Sequence, residues 1–218
     1  MRTIRVTGRG SLKIKPDLTK ITVTLEGTFP TYDETLRRSS ADTETVRGLL
    51  PGLGLSGGDL KTLDFTVETE YEGCDDNGVY RQRFVGYSYR HEMKVEFLSD
   101  PALLGRLLFA LANCPVSPEF HIGYAVKNMR SVKNQLLARA VADAAEKANL
   151  LAQAAGVTLK DIESIDYSWD QVRFEPLPMH RISAAKMSPL AADESIGLDL
   201  QPDDLTAEDT VTVIWEIE

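Results

Sequence analysis

The chain has 218 residues, 43% of them hydrophobic and 26% charged, which is too apolar for a disordered chain and long enough to bury its own core. With 24 Lys and Arg against 33 Asp and Glu the net charge is −9. The excess is local, because no Lys or Arg follows Lys186 and nine acids occupy the last 32 residues. That balance disfavours a nucleic-acid or general phosphate surface. No apolar run approaches the ~18 residues of a membrane-spanning helix.

The N-terminus, Met1-Arg2-Thr3-Ile4-Arg5, has no apolar signal core and no cleavage site. As written, the chain is expected in the cytoplasm, and in the periplasm or outside the cell if a signal has been removed. Apolar and polar residues then alternate at Ile4 and Val6, at Leu12 and Ile14, and at Ile21, Val23 and Leu25. Side chains along a strand point alternately to opposite faces, so this pattern predicts strands with one dry face. Pro16-Asp17 predicts a turn between the first two. A first helix is expected behind Thr31 as N-cap, with Leu36, Val46, Leu49 and Leu50 as its apolar stripe and Pro51-Gly52 as its stop.

Leu63, Phe65 and Val67 predict a third strand. Val85, Tyr87, Tyr89, His91, Met93, Val95 and Phe97 predict a long fourth, joined to it by a hairpin at Asp76-Asn77-Gly78. Asp100-Pro101 opens a second helix carrying Leu103, Leu104, Leu107, Leu108 and Leu111. Phe120, Ile122, Tyr124 and Val126 form the next strand. A third helix is expected from about Ser131 to Ala155, with Val132, Leu136, Ala140, Ala144, Ala148 and Leu151 along one side and Gly156 as its stop. Its alanines suit close approach to a sheet. Ile165, Tyr167 and Trp169 predict a further strand, and Val211, Val213, Trp215 and Ile217 the last.

The expected class is α+β, with antiparallel sheets packed against helices in the order β-β-α-β-β-α-β-α-β-β. One domain over residues 1–218 is expected, divisible into packed sub-halves of about 1–115 and 116–218. A long segment from about Phe174 to Leu205, with four prolines, shows no periodicity and reads as a loop.

The motifs carry little chemistry. Gly52-Leu53-Gly54-Leu55-Ser56-Gly57 satisfies a dinucleotide fingerprint, but it follows a helix and precedes a strand, the reverse of what phosphate binding at a helix N-terminus needs. The three histidines, His91, His121 and His180, sit on different elements without metal-ligand spacing. His91 falls in phase with a dry face and reads as a core histidine. Cys74 precedes acids that raise a thiol pKa, and Cys114 reads as structural. No catalytic residue, metal ligand or cofactor is assigned.

Several passages together resemble the SIMPL-domain family. These are Val6-Thr7-Gly8-Arg9-Gly10 leading to Pro16-Asp17, then Leu53-Gly54-Leu55 with Asp59-Leu60 and Thr62 to Phe65, and then Gly86-Tyr87. The alanine-rich helix, Pro176-Leu177-Pro178-Met179 and the terminal Val211-Thr212-Val213 strand follow in family order. The resemblance covers nearly the whole chain. It implies a mixed α+β fold, a tendency to self-associate, and no known catalytic residues to carry over.

Two functional readings follow. The first is a non-enzymatic homo-oligomer or protein-partner-binding protein, stress- or envelope-linked, with Leu177, Met179, Met187 and Leu190 as contact residues. The second is a small-ligand-binding protein or an unrecognised enzyme, with a cleft between sheet and helices around Tyr87, Arg90 and His91. Nucleic acid is not an expected partner.

Overall fold

Alternation becomes strand and fourfold spacing becomes helix along residues 2–76, 79–167, 173–175 and 202–218, which the computed structural model describes. The elements in chain order are β1 (Thr3–Ile14), β2 (Leu18–Phe29), α1 (Tyr32–Leu49), β3 (Lys61–Asp76), β4 (Val79–Leu98) and α2 (Pro101–Ala112). They continue with β5 (Glu119–Ala125), α3 (Met129–Ala155), β6 (Leu159–Asp166), β7 (Arg173–Glu175) and β8 (Leu205–Ile217). The fold is α+β, with two antiparallel sheets and three helices among the described residues.

These elements form two units. Of the described residues, the first unit takes those up to Asp17, those from Ala125 to Glu175 and those from Pro202 on. The second takes 18–124. The units therefore interleave along the chain rather than dividing near residue 115. Pro16-Asp17 is not a hairpin turn, because β1 pairs with β8 while β2 pairs with β4 in the other sheet.

In the first unit β8 is the central strand. It pairs with β1 along its whole length, from Thr3 opposite Glu216 to Ile14 opposite Leu205. Its other side carries β6 and the short β7. β7 overlaps the start of the stretch expected to lack structure. The dry face is Val6, Gly8, Gly10 and Leu12 with Ala207, Val211, Val213 and Trp215. Helix α3 covers it with Val132, Leu136, Ala140, Ala144 and Ala148, while Leu151 stands half exposed and Ala152 is buried in its place. The two glycines decide how close the helix comes. A Cβ on Gly8 would stand 2.0 Å from the Ala140 carbonyl oxygen, and one on Gly10 2.1 Å from that of Leu136. At this separation there is no room for a side chain on the strand beneath the backbone of Leu136, Ala140 and Ala144.

In the second unit the strand order is β3-β4-β2-β5. Ile21, Val23 and Leu25 of β2 meet Tyr89, Met93, Val95 and Phe97 of β4 in one core, closed by Leu104, Leu107, Leu108 and Leu111 of α2 and by Val46 and Leu50 at the end of α1. Asp100 caps α2 by accepting from the Ala102 and Leu103 amides. Helix α1 departs from its expected stripe, since Leu36 is exposed and the buried line is Thr35, Ser39, Thr43 and Val46. Small hydroxyls serve there because each is satisfied locally. Thr35 donates to the Thr31 carbonyl, Ser39 to that of Leu36, and Thr43 to that of Ser39.

The glycine-rich stretch after α1 forms two single-turn 3-10 segments, Pro51–Leu53 and Gly57–Asp59, ahead of β3. The backbone thus confirms a connector.

Candidate functional site

Tyr87, Arg90 and His91 lie on β4, where alternation sends them apart. Tyr87 and His91 face the helices. Arg90 points to the other side of the sheet and forms an ion pair there with Glu26 of β2. The three therefore do not converge on a cleft.

His91 is buried and fully bonded. Its Nδ1 lies 2.9 Å from the Thr43 hydroxyl of α1, and its Nε2 lies 2.9 Å from the Thr62 hydroxyl of β3. Thr43 donates its one hydrogen to the Ser39 carbonyl oxygen at 2.7 Å, so it can only accept from the ring. The neutral ring accordingly carries its proton on Nδ1 and accepts from Thr62 at Nε2. The edge of the ring meets Phe65 with centroids 5.2 Å apart. Burial, followed by the nearby positive charge of Arg47, lowers its pKa below the usual 6.5. His91 is a neutral staple between helix and strand.

Other buried polar groups are used in the same way. The Tyr89 hydroxyl donates to Asp42 at 2.5 Å, and burial with that carboxylate raises its pKa. In the first unit the Tyr167 hydroxyl donates to the buried Asp209 at 2.7 Å. Its pKa is pushed up to about 12 by burial and then by Asp209. Neither tyrosine titrates near neutral pH. A shallow surface depression of about 170 Å³ is lined by Asp59, Lys61, Lys94 and Glu96. Ligand sites run to roughly 300–1,000 Å³. Among the described residues no cluster of His, Cys, Asp and Glu is spaced to hold a metal ion. Cys114 is a buried free thiol.

The strand edges are more informative. β1 ends its sheet, and α3 closes that edge with side chains. Arg139 donates to the Ser11 carbonyl oxygen at 2.8 Å, Asp143 accepts from the Arg9 amide at 2.6 Å, and Lys147 donates to the Thr7 carbonyl oxygen at 3.4 Å. Four residues of helix advance ~6 Å and two of strand ~6.8 Å, so one side chain per turn meets one outward backbone group per pleat. Lys147 also pairs with Asp143 at 2.7 Å, and these two contacts hold the carboxyl below the usual range.

β3 ends the other sheet without such a clamp. Every described residue from Lys61 to Gly73 is exposed except the half-buried Val67. Toward the hairpin no helix among the described residues covers the helix-side face beyond the first turn of α1. Tyr32, Tyr87, Phe84 and Tyr71 follow one another there edge to face, with centroids 5.6, 5.4 and 5.7 Å apart. Tyr71 is 53% and Phe84 45% exposed. In the first unit Ile162 and Ile165 of β6 are likewise exposed.

Sequence reasoning missed Thr43, Thr62 and the Arg139-Asp143-Lys147 clamp. Hydroxyls at fourfold spacing in α1, and charges at the same spacing beside the alanine line of α3, were the available signals. Leu177, Met179, Met187 and Leu190, expected as contact residues, lie outside the described residues, as do His180 and the side chain of Cys74.

A family model, SIMPL, described as "Protein of unknown function (DUF541)", matches residues 4–215. Two relatives share the name 26 kDa periplasmic immunogenic protein, one from Brucella melitensis biotype 1 and one from Brucella abortus strain S19. Each is 25% identical over 216 residues, covering 99% of this chain and 84% of the relative. No helix among the described residues is long and apolar enough to cross a membrane.

Proposed function

The chain belongs to the SIMPL family, and from that premise we propose that it is a non-enzymatic protein that binds copies of itself or a protein partner in the bacterial envelope. One observation carries the reading. The buried polar groups are committed to holding the scaffold, while large apolar side chains stand exposed on uncovered strands, Tyr71 and Phe84 on the hairpin and Ile162 and Ile165 on β6. A soluble fold keeps such side chains on uncovered strands at a cost in solubility unless something docks there. The names of the two Brucella relatives, which are called periplasmic, support the envelope location. A cleft at Tyr87, Arg90 and His91 has less support, because Arg90 faces away and both ring nitrogens of His91 are occupied.

Light scattering on the whole chain over a concentration series tests self-association. Photo-crosslinkers at Phe84 and Ile162 in living cells test partner binding, with exposed Arg37 of α1 as the control position. A mass above that of one chain, or a defined crosslinked band at Phe84 or Ile162 and not at Arg37, is expected. A monomer at every concentration with no such band would remove the reading, and so would turnover of a defined metabolite abolished by one substitution that leaves folding intact.

A further inference from the structure

We propose that the outer edge of β3, from Asp64 to Glu70, is the docking site for an extended basic strand of a partner protein. This deepens the partner-binding reading and rests on it. The chain breaks the β3–β4 register twice, between Thr62 and Asp64 and between Glu70 and Tyr71. Between the breaks seven residues pair regularly with Gly86–Glu92, a clean template of roughly 23 Å. β3 is last in its sheet, so the backbone groups on its outer side have no strand partner among the described residues. Alternation gives that template two dissimilar faces. Phe65 and Val67 lie on the helix side, where Phe65 stays 40% exposed. Asp64, Thr66, Glu68 and Glu70 lie on the other.

The charge selects the occupant. Glu70 accepts from Thr28 at 2.6 Å, but Asp64 and Glu68 have no ionic or hydrogen-bonded partner among the described residues. Asp64 stands directly opposite Glu92 of β4, another acid without a partner there. Like charges directly across a ladder are destabilising, and a cation supplied from outside relieves them. A second copy of β3 would instead bring the same acid row against itself. The occupant that fits alternates Lys or Arg with apolar residues, laying its charges over Asp64 and Glu68 and its apolar side chains beside Phe65 and Val67. Main-chain bonds to the edge supply affinity and the alternating side chains supply selectivity. Residues 18–124, which carry this edge, hold 10 Lys and Arg against 16 Asp and Glu, and that excess favours encounter with a basic partner over an acidic one.

Two peptides of equal length, alternating Lys with Val and Glu with Val, are titrated into the whole chain while backbone amides are followed by NMR. The Lys peptide is expected to bind about tenfold or more tightly than the Glu peptide, in a salt-sensitive way, and to slow exchange of amides within residues 64–70. The double variant Asp64→Lys, Glu68→Lys, checked for an unchanged far-UV spectrum, is expected to reverse that preference. If it fails to fold, Asp64→Asn with Glu68→Gln is expected to abolish it. Equal binding of both peptides, no binding up to about 1 mM, or protection elsewhere than residues 64–70 overturns the site. Concentration-dependent protection of 64–70 without peptide would make the occupant a second copy and overturn the basic-partner assignment. A chain that self-associates or crosslinks while this edge ignores both peptides leaves the broader reading standing and removes only this one.

Discussion

β1 and β3 both end a sheet, yet their outer edges are finished differently. Along β1, a helix runs antiparallel to the strand and near enough for Arg139, Asp143 and Lys147 to take up outward backbone groups. Along β3, no helix among the described residues supplies such a clamp, and the strand carries exposed acids and two bulges. The difference traces to the residues under the helix. Gly8 beneath Ala140 and Ala144, and Gly10 beneath Leu136 and Ala140, let α3 press onto its sheet. Thr35, Ser39 and Thr43 place α1 over β2 and β4, and no helix among the described residues covers the far end of the hairpin. A capped edge resists strand addition and an uncapped one invites it.

The comparison breaks most violently at the glycines. Gly8→Val or Gly10→Val puts side-chain carbon into the α3 backbone, which the helix can escape only by lifting away. A loss of about 3 kcal/mol or more is expected, read as a lowered urea midpoint in Trp215 fluorescence. The readout belongs to the first unit, because no tryptophan lies in residues 18–124. An unchanged midpoint would mean that α3 does not owe its position to these two residues.

Next in size is the His91 staple. Thr43→Val leaves the Nδ1 proton without an acceptor in a buried site and is expected to cost about 1–3 kcal/mol, measured by denaturation followed in the far ultraviolet. Thr62→Val should cost less, since Thr62 lies at the exposed edge. The staple also predicts a pH dependence. The folded pKa of His91 is lowered, so the unfolded chain takes up the proton more readily. The contribution of the neutral ring is therefore complete above about pH 6.5 and is lost as pH falls through the depressed folded value. An NMR titration of the His91 ring giving a pKa at or above 6.5 would contradict the buried neutral assignment.

Smaller still is the clamp itself. Asp143→Ala should speed exchange of the Arg9 amide selectively, with little change in global stability. The lowered pKa of Asp143 means that this contact is present above the usual carboxylate pKa and lost as pH falls through the folded value. An Arg9 amide that exchanges as slowly without Asp143 would show that its protection comes from elsewhere. The smallest effect sharpens the contrast. Phe84→Ser and Tyr71→Ser on the bare hairpin should shift stability by no more than about 0.5 kcal/mol. A larger loss by urea titration would mark those rings as scaffold and not as contact surface.

Much of this was legible in the sequence. Period-two alternation located six of the eight strands among the described residues, because it is a local consequence of which side chain faces water. By contrast, β6 (Leu159–Asp166) meets the strand expected at Ile165, Tyr167 and Trp169 only at its end, and Trp169 lies outside the described residues. Asp100-Pro101 and Gly156 marked their helix ends for equally local reasons. In α1 the same logic misled, because Leu36 fits an apolar stripe that the fold does not bury. The inward face is built of hydroxyls whose bonds to the preceding turn hide their polarity. Arg90 was grouped with Tyr87 and His91 for closeness in sequence, although alternation along β4 assigns it to the other face.

The sequence by itself determined the class of the fold, the two-faced character of its strands and the family to which the chain is assigned. It also held Gly8 and Gly10 as a motif without a stated reason. Only the tertiary structure decided that β1 and β2 enter different sheets, that the glycines mark where a helix presses on a strand, and that one end strand is clamped while another is bare. Strand pairing and helix approach join residues more than a hundred positions apart, such as Arg9 with Asp143. Periodicity records only which way each side chain faces, and not which distant segment meets it.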